Sequence, residues 1–490
     1  MEPMMPTINL SALYPEIIIA LFALIVLLLQ SFANISGKKY FGYISLVGII
    51  TAIFIVFFKP SPFDFKSVEY AFNGLWVVDN YCRFFKLIFL LGTGLTILIS
   101  IKYVEDEGIQ NGEYFALILF ATLGMMIMAS GTEMMTIFLG LELMSISLYA
   151  LAGFTRTRMI SNEAALKYFL LGSFATGFLL YGMALLYGAT GTTSLNGISQ
   201  FLAKTHLQSP MPILGMALLV IGFGFKIAAV PFHMWAPDVY QGAPSPITAF
   251  MSAGPKAAGF AAFVRVFVEA LPALHGEWVV LIWVMAVLTM TVGNIIALVQ
   301  DNIKRMLAYS SIAHAGYVLV AFLCAGEMGI SSILYYMLAY TLMNIGAFAV
   351  ITVLAGKGEE KVNIEDYNGL GYRHPVAAIA MSLFLFSLAG IPPTAGFMGK
   401  FYIFSAAIKQ GYLGLAIIGV INSVVSVYYY LRVTIAMYMK EPAASGESPA
   451  LIFSPACIIA ILISAFGVLR MGIFPSDYID IAKQSFLALL

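Results

Sequence analysis

Apolar stretches of about 20 residues, the length that crosses a bilayer as a helix, follow one another along nearly the whole chain. They fall near 13–33, 40–58, 77–101, 114–130, 134–154, 162–188, 211–231, 243–270, 278–299, 303–324, 330–355, 375–408, 411–438 and 452–473. The pattern predicts an all-α integral membrane protein of about fourteen transmembrane helices. The polar connections are short. The longest, 59–76, 189–210, 356–374 and 439–451, are too small for an extramembrane domain, so residues 1–490 read as one polytopic membrane domain. The stretch 375–408 is too long for one straight span and carries Gly390-Ile391-Pro392-Pro393 in its middle. Proline removes a backbone donor and clashes with the preceding turn, so helix 12 is expected to be discontinuous. Helix 7 carries a weaker form of the signal in Gly222, Gly224 and Pro231. Broken backbone at membrane depth is tolerated only where protein or a water-filled cavity satisfies the freed groups, so both breaks point to internal polar sites.

Each break holds a lysine, Lys226 and Lys400. A cation near mid-bilayer is unfavourable by roughly 2.5 to 3.5 kcal/mol on the gentler insertion scales, and such residues mark ion or proton paths. The two spans are five apart in order, and an odd offset makes equivalent helices cross in opposite directions, as in inverted-repeat transporters. A second pair fits the offset: Glu142 precedes Lys226 by 226 − 142 = 84 residues, and His314 precedes Lys400 by 400 − 314 = 86. Two inverted five-helix repeats are therefore expected, at about 114–270 and 278–439, after three N-terminal helices within 1–110 and before a last helix within 452–490. The prolines follow Lys226 but precede Lys400, which a simple duplication does not explain.

Composition agrees with the membrane reading: 61% of residues are hydrophobic and 10% are charged, against about 25% charged in soluble domains. The formal net charge is zero, which leaves no basic field for nucleic acid. The N-terminus lacks a basic region and a small-residue cleavage site, so the first apolar run is expected to be retained as a span. Loops after odd-numbered spans carry Lys38, Lys39, Lys102, Arg156, Arg158, Lys304, Arg305, Lys357, Lys361, Arg373 and Lys440. The opposite side carries Lys59, Lys66, Arg83, Lys204, Lys409 and Lys483. The bias of eleven against six predicts both termini outside the cytoplasm. Cys82, Cys324 and Cys457 show no metal or dithiol spacing and read as small buried hydrophobes.

Other intramembrane polar residues extend the candidate path. Glu142 lies about eight residues, or about 12 Å, into span five, where a carboxylate either pairs with a cation or takes up a proton. Lys226 is its candidate partner; the alternative is a fixed pair that only orients helices. Lys256 sits among small residues in span eight, and the competing reading is snorkelling to the surface. His314 follows Ser310 and Ser311 and has the side chain suited to relaying protons, or to a hydrogen-bonded core position. Lys167 follows Glu163 by four residues, the spacing of an ordinary helical ion pair. Arg265 and Glu269 repeat that spacing near the end of span eight and read as interfacial anchors. His233 and Asp238 flank Trp235 and lack the further ligands that a metal site needs. Gly399-Lys400 is not a phosphate-binding loop, since Thr394 stands at the earlier glycine position and Phe401 follows the lysine.

The run from Lys226-Ile227-Ala228-Ala229-Val230-Pro231 through Pro244, with Leu139-Gly140-Leu141-Glu142-Leu143, Asn302 through His314 and Ser387 through Lys400, resembles the antiporter-like subunits of respiratory complex I. The resemblance covers essentially the whole chain. It implies a proton-translocating membrane subunit of an NADH:quinone oxidoreductase, a translocase, in the bacterial cell inner membrane. NADH, FMN, iron-sulfur clusters and quinone would sit on other chains, and no cofactor or metal would sit on this one. The expected neighbours are the middle antiporter-like subunit M, the small subunit K and the lipid bilayer. By position, Glu142 and Lys226 would form the coupled pair of a first half-channel with Lys167 as a modulating neighbour. Lys256 and His314 would join the halves, and Lys400 would serve the second. A subunit of a multisubunit sodium/proton antiporter is the alternative, because it shares the lysine and glutamate pattern.

Overall fold

A computed structural model describes residues 9–32, 40–58, 68–205, 209–355, 361–441 and 454–486. Met1 to Met4 and five residues of the loop-charge comparison, Lys38, Lys39, Lys59, Lys66 and Lys357, lie outside the described residues. Among the described residues, twelve helices are long and apolar enough to cross a membrane. They contain α1 (Tyr14–Phe32), α2 (Tyr40–Phe58), α3 (Asn80–Asp106), α4 (Gly112–Ser130), α5 (Met134–Ala152) and α6 (Met159–Thr190). The others contain α10 (Ser245–Arg265), α11 (His275–Leu298), α12 (Ile303–Leu323), α13 (Glu327–Leu354), α17 (Leu413–Met439) and α18 (Pro455–Ile473). The seventh crossing begins with the shorter α8 (Met211–Lys226), and the twelfth is split into α15 (Pro375–Ala389) and α16 (Ala395–Lys409). Together these make the fourteen expected crossings, two of them discontinuous.

The connections hold structure that hydropathy alone does not reveal. A hairpin of β1 (Glu69–Ala71) and β2 (Trp76–Val78) precedes α3, and Trp76 bridges to Gly131. Amphipathic α7 (Leu195–Thr205) follows α6, α9 (Trp235–Gly242) follows the seventh span, and α14 (Leu370–Arg373) precedes α15. The final α19 (Pro475–Phe486) packs against α3 and α13.

Both breaks have a local cause. At Gly390, φ is +88°, a left-handed conformation that glycine adopts without a Cβ clash. The N–H groups of Gly390 and Ile391 both return to Phe386 O, which closes α15 before the proline pair. At the seventh span, Ala228 has φ +57°, Ala229 N–H reaches back to Gly224 O at 2.8 Å, and Pro231 follows. Here an alanine, not a glycine, takes the left-handed position.

The interior is formed by α10, α12 and α13, buried along nearly their whole length, while α1, α6 and α18 keep broad apolar faces outward. This placement explains why α10 tolerates the polar and small residues that make it the least hydropathic of the long spans: it meets protein on all sides. The tightest crossings are α4 with α5 and α11 with α12, the same positions in the two expected halves. Helix α5 approaches so closely that a Cβ on Gly124 would lie 2.5 Å from Gly140 O. Gly124→Val therefore forces apart the helix pair that carries Glu142. Overpacking of this kind costs about 1–3 kcal/mol, and the expected outcome is a lower thermal-unfolding midpoint of the purified protein, with Gly177→Val, whose Cβ position is open, as the tolerated control.

Candidate functional site: a buried line of lysines, hydroxyls and a histidine

The sequence places Lys226, Lys256, His314 and Lys400 on four different spans, and in the structure all four are at most 4% exposed. Lys226 is the last residue of α8, and its ammonium donates to Ser145 Oγ on α5 at 2.7 Å. The Tyr149 ring lies one turn further along α5, 5.9 Å from Lys226 Nζ. Glu142 is not in contact with the lysine. Its carboxylate accepts a hydrogen bond from Thr176 on α6 at 2.8 Å, and it is one turn from Ser145 on the same helix. The direct Glu142–Lys226 pair expected from sequence is thus replaced by two separate hydrogen bonds to neighbouring positions of α5. The reason is spatial: the ammonium reaches the turn that carries Ser145, and Thr176 occupies one carboxylate oxygen.

Helix α10 passes beside Lys226 at Gly259, where a Cβ would stand 3.6 Å from the lysine Cβ. One turn earlier on α10, Lys256 donates to Ser311 O at 2.8 Å and Ser311 Oγ at 2.5 Å on α12. It does not snorkel. Three residues after Ser311, His314 is held at both ring nitrogens, Nδ1 against Tyr336 OH at 2.5 Å and Nε2 against Tyr430 OH at 3.0 Å. Tyr430 OH also bonds Ser310 Oγ. The Tyr317 ring stands edge-on to His314 with centroids 5.6 Å apart, and Lys400 Nζ lies 5.0 Å from the same tyrosine ring. These tyrosines come from α12, α13 and α17, and sequence reasoning passed over them, since a buried tyrosine is ordinary in a membrane core.

Lys400 closes the end of a broken helix. Its ammonium donates to Leu388 O at 3.0 Å, Ala389 O at 2.9 Å and Ser423 Oγ at 2.9 Å. The two carbonyls are among those left without helical partners where α15 stops, so the lysine caps the broken helix and places a cation at the negative end of its dipole. At the other break, Trp235 Nε1 donates to Phe225 O at 3.0 Å and Val230 N–H donates to Thr289 Oγ1 at 2.9 Å. There the indole and a threonine satisfy the backbone, and Lys226 is left to a side-chain hydroxyl.

Lys167 stands apart from this line. It is about two-fifths exposed and pairs with Glu163 at 2.7 Å and Asp238 at 2.8 Å. Asp238, in the connection between the seventh and eighth spans, also receives Arg305 at 2.7 Å. Partial burial pushes the Asp238 carboxyl up, but the hydrogen bonds from Lys167 and Arg305 outweigh it and hold the group below its usual value. Arg265 and Glu269 are not simple interfacial anchors either: Arg265 is 1% exposed and bonds Asp79 and Glu269, both at 2.8 Å. Among the described residues, no group of three or more histidine, cysteine or acidic side chains is placed to hold a metal.

Fold and site together define an antiporter-like membrane subunit, and the model of the NADH:quinone oxidoreductase/Mrp antiporter transmembrane family matches residues 131–426. Within that family the chain belongs to the NADH-quinone oxidoreductase subunit N group. It is 54% identical to the subunit N of Trichlorobacter lovleyi, over 98% of this chain and 97% of that protein. A chain of respiratory complex I from Thermus thermophilus superposes with a TM-score of 0.79 at 34% identity, covering 95% of this chain and 98% of that one. A chain of the Mrp complex from Dietzia superposes with a TM-score of 0.84 at 19% identity, covering 98% and 97%, a likeness of fold alone.

The capping geometry of Lys400 is open to test. Lys400→Met preserves length but leaves the Leu388 carbonyl without its donor and Ala389 O with only the 3.5 Å contact from Ser423 Oγ, at a cost of about 1–3 kcal/mol. The expected outcome is faster proteolysis or hydrogen exchange confined to the 386–396 segment, with the α8 break unchanged.

Proposed function

We propose that this chain carries protons across the bacterial inner membrane as a subunit of NADH:quinone oxidoreductase, through the line Glu142, Lys226, Lys256, His314 and Lys400. The observation that carries the reading is the continuity of α12: its one turn from Ser311 to His314 links Lys256 on one side to the tyrosines beside Lys400 on the other. Residues 114–270 and 278–439 act as the two inverted halves, with both termini on the outer side. NADH, FMN, iron-sulfur clusters and quinone belong to other chains, and subunits M and K are the adjoining membrane partners.

The proposed step begins at Lys226. Ser145 and Glu142 are three residues apart on α5, about 4.5 Å along its axis and on neighbouring positions of one face. Moving the ammonium from Ser145 to Glu142 replaces a neutral acceptor by a carboxylate. A pair closed to about 4 Å at an effective dielectric near 20 interacts by roughly 4 kcal/mol. Carrying one charge against a potential of about 150–200 mV requires on the order of 3.5–4.6 kcal/mol. Opening and closing one such contact is therefore of the right size to decide whether Lys226 holds or yields its proton, while net work comes from the redox reaction. The yielded proton passes by way of Lys256 and His314 to Lys400, which releases it outward. Lys167 enters indirectly: through Asp238 it holds α9, the segment whose Trp235 closes the break after Lys226.

In vesicles reconstituted with the whole complex, Lys226→Ala and Glu142→Ala are expected to lower the ratio of protons moved to NADH oxidised sharply while the complex still assembles. Wild-type ratios in both would sink the proposal. Ser145→Ala is expected to bring Lys226 onto Glu142, seen as a changed carboxylate band in infrared difference spectra that Ser145→Thr restores. Lys400→Arg keeps a cation that stays protonated, and pumping at the wild-type level would remove Lys400 as a titrating site. For the alternative, a sodium/proton antiporter subunit, co-purifying chains decide: flavin and iron-sulfur proteins support the present reading, small cation-exporter subunits the other.

A further inference from the structure

Away from the central line, Arg83 is a buried cation with no counter-charge among the described residues. Arg83, in the first turn of α3, is 8% exposed, and its Nε and Nη2 atoms are buried without a hydrogen-bond partner. One turn earlier, the Asn80 side-chain amide is 3% exposed and its Nδ2 is also without a partner. Both residues line the same cavity of about 350 Å³. Such donors have lost their water without gaining a partner, which is unfavourable for a neutral group and more so for a charged one. The neighbouring carboxylates among the described residues do not answer Arg83: Glu16 pairs with Lys86 at 2.7 Å, and Glu69 accepts the Asn9 amide. Every unmet polar group facing this cavity from α3 is a donor, so the missing partner is an acceptor.

The rest of the cavity is apolar and elongated. It follows α3 from Asn80 to Leu91, about 16 Å at the helical rise. Leu338 of α13 lines it, and Tyr478 and Ser485 of α19 bring hydroxyl-bearing side chains to its wall. An apolar cavity of about 150 Å³ takes up a benzene ring, so this one has room for a substantial length of acyl chain. Arg83 lies in the first turn of a membrane-crossing helix, the level at which a lipid headgroup meets its chains.

We propose that this cavity between α2, α3, α13 and α19 binds one phospholipid, with its phosphate on Arg83 and Asn80 and part of one acyl chain along α3 toward Leu91 and Leu338. The guanidinium fork matches phosphate oxygens in two parallel hydrogen bonds, which a lone ammonium cannot reproduce. The bound lipid would join the N-terminal helices to α13 and α19.

The test uses the complex purified with its native partner chains, delipidated, then supplied with phosphatidylglycerol that carries a photoactivatable diazirine in its acyl chain. Mass spectrometry is expected to place the crosslinks around Leu87 to Leu91 and Leu338. Arg83→Gln should reduce that labelling at least about tenfold, the scale expected for a lost charge-assisted hydrogen bond. Unlabelled phosphatidylglycerol should compete, whereas inorganic phosphate at the same concentration should not. Equal labelling in wild type and Arg83→Gln, equal labelling by a diazirine fatty alcohol that lacks phosphate, or displacement by phosphate alone would each overturn the proposal. If Arg83→Gln fails to assemble, Leu338→Trp fills the apolar end with Arg83 intact, and undiminished labelling there would overturn it equally.

Discussion

The architecture turns on a mutual need at the two breaks: a helix interrupted inside the membrane frees backbone carbonyls, and a lysine inside the membrane needs acceptors. Neither is tolerable alone in a low-dielectric interior, where an unmet backbone group or an isolated ion costs several kcal/mol. At the twelfth span they satisfy each other, because the Lys400 ammonium donates to the Leu388 and Ala389 carbonyls. Gly390 makes this possible twice over. Its left-handed backbone ends α15, and a Cβ there would stand 3.1 Å from Lys400 Cδ. The break and the cation are one device.

The seventh span solves the same problem differently. Trp235 takes the Phe225 carbonyl, Thr289 takes the Val230 N–H, and Lys226 is released from capping to hold a serine. A lysine held by one neutral hydroxyl is easier to move than one held by two carbonyls and a hydroxyl. The two breaks are thus unequal: Lys226 is held loosely and Lys400 is anchored. Between them, α10 and α12 lie in the protein interior, where their polar side chains meet other side chains and never lipid.

The same accounting explains why the tyrosines around His314 belong to the site. A buried imidazole must place both nitrogens, and Tyr336 and Tyr430 provide for both. Tyr336 comes from the next helix, α13, but Tyr430 stands 116 residues further on in α17, so this environment exists only once α17 has packed against α12.

Hydropathy by itself determined the number of crossings, since the bilayer demands about 20 apolar residues in sequence and supplies no alternative way to satisfy the backbone. It also marked the break at Gly390 to Pro393 and the isolated charges, because glycine, proline and lysine act locally. It did not reveal that the seventh span ends on a left-handed alanine, that a hairpin precedes α3, or that Lys167, paired with Glu163 as the spacing predicts, also reaches an Asp238 shared with Arg305. Nor did it show that Ser145 stands where the Glu142 carboxylate was expected. Those outcomes depend on which turn of one helix faces another and on how far an ammonium reaches. Rotation and depth of packed helices are decided by contacts between residues far apart in the chain, such as Glu142 with Thr176, 34 positions apart, and Lys226 with Ser145, 81 positions apart, which no local pattern encodes.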